Sequence, residues 1–141
     1  MKSKNIILLG ATGSVGSSTL RLIEEKRENF NLVGISANEN VEVLKKISEK
    51  FNVKYVCYNN NFNNVKFNKN IKILEGLKGL IELTSINCDI VVSGISGMHG
   101  LLPALNALKS GNNIAIANKE PLVVAGKMFR QVSMLNNTKI L

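Results

Sequence analysis

Apolar residues along this chain fall in short continuous runs separated by amphipathic stretches, an alternation that predicts strands and helices in turn. Ile6-Ile7-Leu8-Leu9 is such a run, opened by Asn5 and closed by Gly10, the pattern of a parallel strand buried on both faces. Residues 31–36, 53–58, 89–93 and 113–117 repeat the pattern, and 138–141 read as the start of a sixth strand. Helices are predicted over 17–26, 41–51, 77–83, 101–109 and 122–135. In the second of these, Val41, Leu44, Ile47 and Phe51 share one face. Pro103 falls in the first turn of its helix, where a missing N–H costs nothing, and Gly111 stops that helix. Residues 59–70 break the rhythm; rich in asparagine, they read as a low-complexity loop with no assigned function. Strand–helix alternation with apolar strands predicts an α/β fold: a doubly wound parallel sheet covered on both faces, one domain over 1–141.

Composition narrows the field. At 141 residues the chain is one domain able to bury roughly two-thirds of its unfolded surface. Its 45% apolar and 20% charged content excludes wholesale disorder. No apolar run approaches the roughly 20 residues needed to span a bilayer. The N-terminal apolar stretch is too short for a signal-peptide core, and no small-residue cleavage site follows it. A cytoplasmic location and no membrane partner are therefore expected. Cys57 and Cys88 stand far apart, without a CxxC or a histidine cluster, so reduced core thiols are expected rather than a disulfide or a zinc site. The net charge of +8 comes from lysines scattered among asparagines, with no basic run and no interleaved aromatics. It reads as a solvated surface with some attraction for phosphorylated small molecules, and no nucleic-acid partner is expected.

The first strand runs into Gly10-Ala11-Thr12-Gly13-Ser14-Val15-Gly16, a G-x-x-G-x-x-G spacing between strand and helix. The first glycine permits a tight turn, the second lets backbone approach a diphosphate, and the third lets the helix pack on the strand. The helix N-terminus then offers free N–H groups and a positive dipole end, with Thr12 and Ser14 adding hydroxyls. No Gly-Lys-Ser/Thr follows, which excludes a Walker loop. These features predict a dinucleotide-binding domain of the Rossmann type holding a nicotinamide cofactor. At the tip of the second strand, Ser36-Ala37-Asn38-Glu39-Asn40 has no acid directly at the strand end, which leans toward NADP. It has no arginine for a 2′-phosphate either, and both cofactors stay open on these residues.

Two later strands end in polar turns, Gly94-Ile95-Ser96-Gly97-Met98-His99-Gly100 and Asn118-Lys119-Glu120. Ligands of open parallel sheets lie outside the carboxyl ends of the strands, so both turns are expected at the nicotinamide half. Lys119 reads equally as a substrate-pairing group and as an exposed loop lysine. His99, the sole histidine, reads as a turn residue without a catalytic role.

The glycine turn with Ser17-Ser18-Thr19-Leu20, then Gly100-Leu101-Leu102-Pro103-Ala104-Leu105, then residues 117–126 around Asn118-Lys119-Glu120, in this order, closely resemble the N-terminal domain of 1-deoxy-D-xylulose 5-phosphate reductoisomerases. The resemblance covers essentially the whole chain, and the Asn-Lys-Glu block is its most specific element. It implies an enzyme of the non-mevalonate route to isoprenoids. Such enzymes isomerise a phosphorylated deoxyketose with a divalent metal, Mg or Mn, and reduce the aldehyde intermediate with NADPH to 2-C-methyl-D-erythritol 4-phosphate. It further implies that Thr12, Gly13, Ser14 and Val15 hold the cofactor phosphates, that Asn118 and Glu120 contact the cofactor, and that Lys119 contacts the sugar phosphate. Residues 38–40 fall where the family commonly has Gly-Lys-Asn around the 2′-phosphate: Asn40 matches, while Asn38 and Glu39 depart.

The family's acidic metal motif, catalytic domain and C-terminal domain would follow a strand like Lys139-Ile140-Leu141. The one aspartate here, Asp89, sits at the start of a strand, away from the expected ligand end. These residues are therefore expected to form the cofactor half of a larger enzyme, homodimeric at full length, with no metal ligand and no catalytic residue of their own. Two other readings stand beside it: a semialdehyde-dehydrogenase-like oxidoreductase, which needs a nucleophilic cysteine, and a non-catalytic nucleotide-binding module. Exchanging the carboxylate of Glu39 for an ammonium changes the charge toward a 2′-phosphate by two units. Glu39→Lys is expected to tighten NADPH about tenfold relative to NADH, read by calorimetric titration with both cofactors. An unchanged ratio would remove Glu39 from cofactor selection.

Overall fold

In the computed structural model, which describes residues 2–59 and 64–141, the predicted alternation is realised as β1 (Lys4–Leu9), α1 (Ser14–Glu25), β2 (Phe30–Ser36), α2 (Val41–Phe51), β3 (Tyr55–Tyr58), β4 (Lys72–Glu75), α3 (Gly76–Thr84), β5 (Ile90–Ser93), α4 (Leu101–Lys109), β6 (Asn113–Ile116) and α5 (Glu120–Leu135). A 3₁₀ turn, Gly97–Gly100, leads directly into α4. The strands form one parallel sheet in the order β4-β3-β2-β1-β5-β6. From β1 the chain moves outward through β2, β3 and β4, then returns to the other side of β1 to lay down β5 and β6. The direction of growth reverses between β1 and β5, the place where doubly wound sheets open a crevice.

Alternate residues of β1 serve two separate cores, because successive side chains of a strand point to opposite faces. Ile6 and Leu8 pack with Ile23 of α1 and with Val41 and Leu44 of α2. Ile7 and Leu9 pack with Leu83 of α3, Leu105 and Leu108 of α4 and Phe129 of α5. Burial on both faces is why the strand reads as a continuous apolar run. One irregularity interrupts the ladder: Ile6 pairs with Leu32 and Ile7 with Gly34, leaving Val33 as a bulge in β2. Gly34 then faces α3 where a Cβ would lie 2.7 Å from a Leu83 methyl, so a side chain there would require the Leu83 side chain to move.

The structure differs from the sequence pattern in three places. The strand β4 lies just beyond the stretch read as a loop, of which residues 60–63 lie outside the described residues. Only Leu74 among its four residues is buried, so its apolar signal is too thin to separate from loop. The predicted sixth strand at 138–141 is a single parallel bridge between Ile114 and Ile140, held by Ile114 N–H on Lys139 O and Leu141 N–H on Ile114 O. Helices α1 and α5 each begin two or three residues earlier than the apolar pattern suggests, which brings Ser14, Val15 and Glu120 into first helical turns.

At the amino end of the sheet, Asn112 is fully buried and braces two connections. Its Nδ2 donates to Thr84 O and Ile86 O, each at 2.9 Å, and its Oδ1 accepts from Cys88 N–H at 3.1 Å. Removing such an amide leaves buried backbone groups without partners, which costs about 1–3 kcal/mol for each group so exposed to loss. Asn112→Ala is expected to lower the melting temperature by about 10 °C in a calorimetric scan, an outcome large for a single polar truncation. A change within a degree or two would show that water replaces the amide.

Candidate functional site

At the mouth of β1 the three glycines of the turn have three different surroundings. Gly10 leaves the strand with φ of 71°, in the left-handed region that side chains disfavour, and a Cβ on it would stand 2.9 Å from the Gly94 carbonyl carbon. Gly16 lies beneath the turn, where a Cβ would fall 2.4 Å from Ala11 O; α1 can approach the strand only because residue 16 has no side chain. Gly13 is exposed with ordinary φ, and the nearest atom to its missing Cβ is Gly10 O at 3.7 Å. The protein leaves the face over Gly13 open, the space a close-lying ligand backbone contact requires.

Hydrogen bonding at the turn is uneven. Gly10 N–H donates to Ser36 Oγ at 3.1 Å, Ala11 N–H to Ser36 O at 2.7 Å, and Gly13 N–H to Gly10 O at 3.3 Å. Among the described residues the N–H groups of Thr12, Ser14 and Val15 have no acceptor. Helix α1 has no side-chain cap and no acid in its first turn. The first turn of any helix leaves such donors free, and together with the neighbouring Thr12 amide they can receive an anion. The dipole of α1 contributes about 0.3–1 kcal/mol toward an anion, while a hydrogen bond to a charged acceptor contributes about 1.5–3 kcal/mol. The free amides are the larger effect.

The second and third polar segments are tied to this turn on one side. Gly94 N–H donates to Leu9 O at 2.8 Å, and a Cβ on Gly94 would lie 3.3 Å from Val15 Cβ, so the first turn of α1 rests on β5's exit. Asn118 then links β6's exit to β5's: its Nδ2 donates to Gly97 O and its Oδ1 accepts from Glu120 N–H, both at 3.1 Å. Lys119, exposed, occupies the N-cap position of α5, and Glu120, also exposed, begins that helix. The ion pairs among the described residues join Lys50 to Glu24 and Lys72 to Glu82; neither uses Lys119. His99 is exposed on the 3₁₀ turn.

Asn38, Glu39 and Asn40 lie on the other side, at the exit of β2, and all three are exposed. Asn40 stands at the N-cap of α2 without capping it by its side chain, and Val41 N–H donates to Glu39 O at 2.8 Å. The order β2-β1-β5-β6 therefore puts residues 38–40 at one end of the crevice and 118–120 at the other, with the glycine turn between them. Three inter-strand spacings make roughly 14 Å, the scale of an extended dinucleotide. The sequence pattern pointed to all of these segments but passed over Ser36, whose hydroxyl in an apolar strand was the available signal, and Gly94 and Gly97, which it read only as turn residues.

No three of His, Cys, Asp and Glu come together among the described residues. Asp89 accepts Asn5 N–H at 2.7 Å at the amino end of the sheet, opposite the crevice. The residues present suit a diphosphate and do not suit a metal. No helix among the described residues is long and apolar enough to cross a membrane.

The model of the 1-deoxy-D-xylulose 5-phosphate reductoisomerase family matches residues 6–126. This chain belongs to that family. A reductoisomerase from Clostridium novyi (strain NT) is 42% identical over 150 residues, covering 98% of this chain and 38% of its own length. The structure of the Zymomonas mobilis reductoisomerase in complex with NADPH superposes with a TM-score of 0.90 at 30% identity, over 99% of this chain and 38% of that one. A further reductoisomerase structure, in complex with NADPH, fosmidomycin and magnesium, gives 0.89 at 30% identity over 98% and 36%. The chain spans little more than a third of the length of the relatives it matches, and the common part is this sheet and its crevice.

The thiols do not behave as the dehydrogenase alternative requires. Burial pushes Cys57 up to about 12, with Glu75 and Glu82 adding to the effect. Burial likewise pushes Cys88 up to about 12, helped by Asp89. A thiolate is the nucleophile, and burial leaves each thiol almost wholly protonated at pH 8. Both cysteines are expected to resist a disulfide reagent at pH 8 in the folded chain and to react promptly in denaturant, the folded rate climbing as the pH approaches 12. Fast labelling of either at pH 8 without denaturant would restore the nucleophile reading.

Proposed function

We propose that this chain is the nucleotide-binding part of an enzyme that converts 1-deoxy-D-xylulose 5-phosphate to 2-C-methyl-D-erythritol 4-phosphate in isoprenoid biosynthesis, with NADPH as reductant. What carries the reading is the pairing of an open, donor-rich glycine turn with the Asn118-braced loop across one crevice, in a chain of this family. The free amides of Thr12, Ser14 and Val15 receive the cofactor diphosphate, and Gly13 keeps that face clear. Asn38 and Asn40 meet the 2′-phosphate at the exit of β2. Asn118 and Glu120 hold the nicotinamide half, and the ammonium of Lys119 pairs with an oxygen of the phosphorylated sugar. When bound, the reduced nicotinamide supplies a hydride to the substrate carbonyl carbon. The divalent metal, Mg or Mn, belongs to carboxylates outside these residues. The whole enzyme is read as a cytoplasmic homodimer acting on a small phosphorylated sugar, with neither nucleic acid nor membrane as a partner.

Fluorescence titration of the 141-residue chain with NADPH is expected to give saturable binding that weakens as salt rises. With NADPH, Mn and deoxyxylulose phosphate supplied together, the same chain is expected to give no turnover. Failure to bind NADPH would sink the nucleotide reading, and measurable turnover would sink the division of labour between these residues and the rest of the enzyme.

A further inference from the structure

Ser36 is the last residue of β2 and is only 3% exposed, a hydroxyl at the end of a strand whose other buried members are Leu32, Gly34 and Ile35. The β1–β2 ladder ends at the Leu8–Ile35 pair. Beyond it β1 turns away at Gly10, where a regular backbone bond to β2 can no longer form. Ser36 carries the pairing around this corner by two different atoms: its Oγ accepts Gly10 N–H at 3.1 Å and its carbonyl accepts Ala11 N–H at 2.7 Å. On the opposite side Gly10 is pressed against Gly94, so the peptide at residue 10 is held between a hydrogen bond and a steric wall. The residues that follow carry the unpaired amides of Thr12, Ser14 and Val15, and their direction is set by how Gly10 is oriented.

We propose that Ser36 is a positioning residue for diphosphate recognition, its hydroxyl fixing the Gly10 peptide so that the three free amides converge on one anion. The proposal rests on the nucleotide reading above. Without the Oγ acceptor, the Gly10 N–H is left unpaired in the interior and satisfies itself by rotating its peptide or admitting water, and either response disperses the donors downstream. Thr at this position keeps the oxygen and Ala removes it. Ser48 supplies the comparison: equally buried, on α2, its Oγ donates to Lys45 O well away from the turn.

The test uses the 141-residue chain with two probes, NADPH, which carries a diphosphate, and adenosine 2′-monophosphate, which lacks one. Ser36→Ala is expected to weaken NADPH about tenfold while leaving adenosine 2′-monophosphate within twofold. Ser36→Thr should restore NADPH binding to within about threefold, and Ser48→Ala should lower the melting temperature with both affinities intact. Equal weakening of the two probes in Ser36→Ala, or NADPH binding unchanged in a folded Ser36→Ala chain, overturns the positioning role. If Ser36→Ala does not fold, Ser36→Cys, with a weaker sulfur acceptor, must show the same selective loss for NADPH, and its absence overturns the role as well. A parent chain that binds neither probe overturns the nucleotide reading itself, an outcome visible before any variant is compared.

Discussion

The contact between Gly10 and Gly94 sets how closely the exits of β1 and β5 approach at the point where the sheet reverses its direction of growth. Gly10 cannot carry a Cβ, which would stand 2.9 Å from the Gly94 carbonyl carbon, and a Cβ on Gly94 would be crowded by Leu9 O at 3.1 Å and Val15 Cβ at 3.3 Å. With that approach secured, the first turn of α1 rests on the β5 exit. The 3₁₀ turn beyond can then be reached by Asn118 from β6. Each later feature of the crevice inherits its position from this pair, including the loop that carries Lys119.

Most of the architecture was legible because burial on both faces writes a strong signal. The β1 run supplies alternate residues to two cores, and α2 shows its apolar face at Val41 and Leu44 with its bounds as expected. What could not be read was set by tertiary pairing. β4 is an edge strand with one buried residue, and only its ladder with β3 makes it a strand. The residues around Ile140 have strand-like composition, yet a single bridge to Ile114 is all that pairs them. The early starts of α1 and α5 have the same cause. Their first residues, Ser14 and Glu120, are polar and exposed, so no apolar periodicity marks them.

At the crevice, the residue types in the glycine turn announced their roles because each glycine answers a separate steric demand, and the structure separates those demands cleanly. Gly10 turns, Gly16 packs, and Gly13 stays open. Ser36 escaped notice because a serine at a strand end is common and nothing in its spacing ties it to Gly10, twenty-six residues earlier. Asn118 was legible as a polar loop residue, but its use of both amide atoms to lace two turns together was not. Such couplings between distant segments depend on strand order. A single sequence gives no access to them.

The two ends of the sheet use their polar groups differently. At the amino end, Asn112 and Asn106 satisfy carbonyls, hydroxyls and an amide around the β5 entry, and Asp89 is tied to the backbone of β1. No buried side-chain nitrogen or oxygen among the described residues lacks a partner. At the carboxyl end, the backbone amides of Thr12, Ser14 and Val15 stand free at an uncapped helix start, around an exposed glycine whose missing Cβ has only Gly10 O nearby, at 3.7 Å. Every helix of this chain starts without a side-chain cap, so free first-turn amides are not peculiar to α1; what sets this start apart is its place beside an exposed glycine where the sheet reverses its direction of growth. Stability favours pairing them locally, with an acid in the first turn of α1 or a capping side chain at residue 13, and either change would fill the site. These open amides are the donors that the proposed diphosphate would use, and the overall net charge of +8 favours an anionic ligand in general.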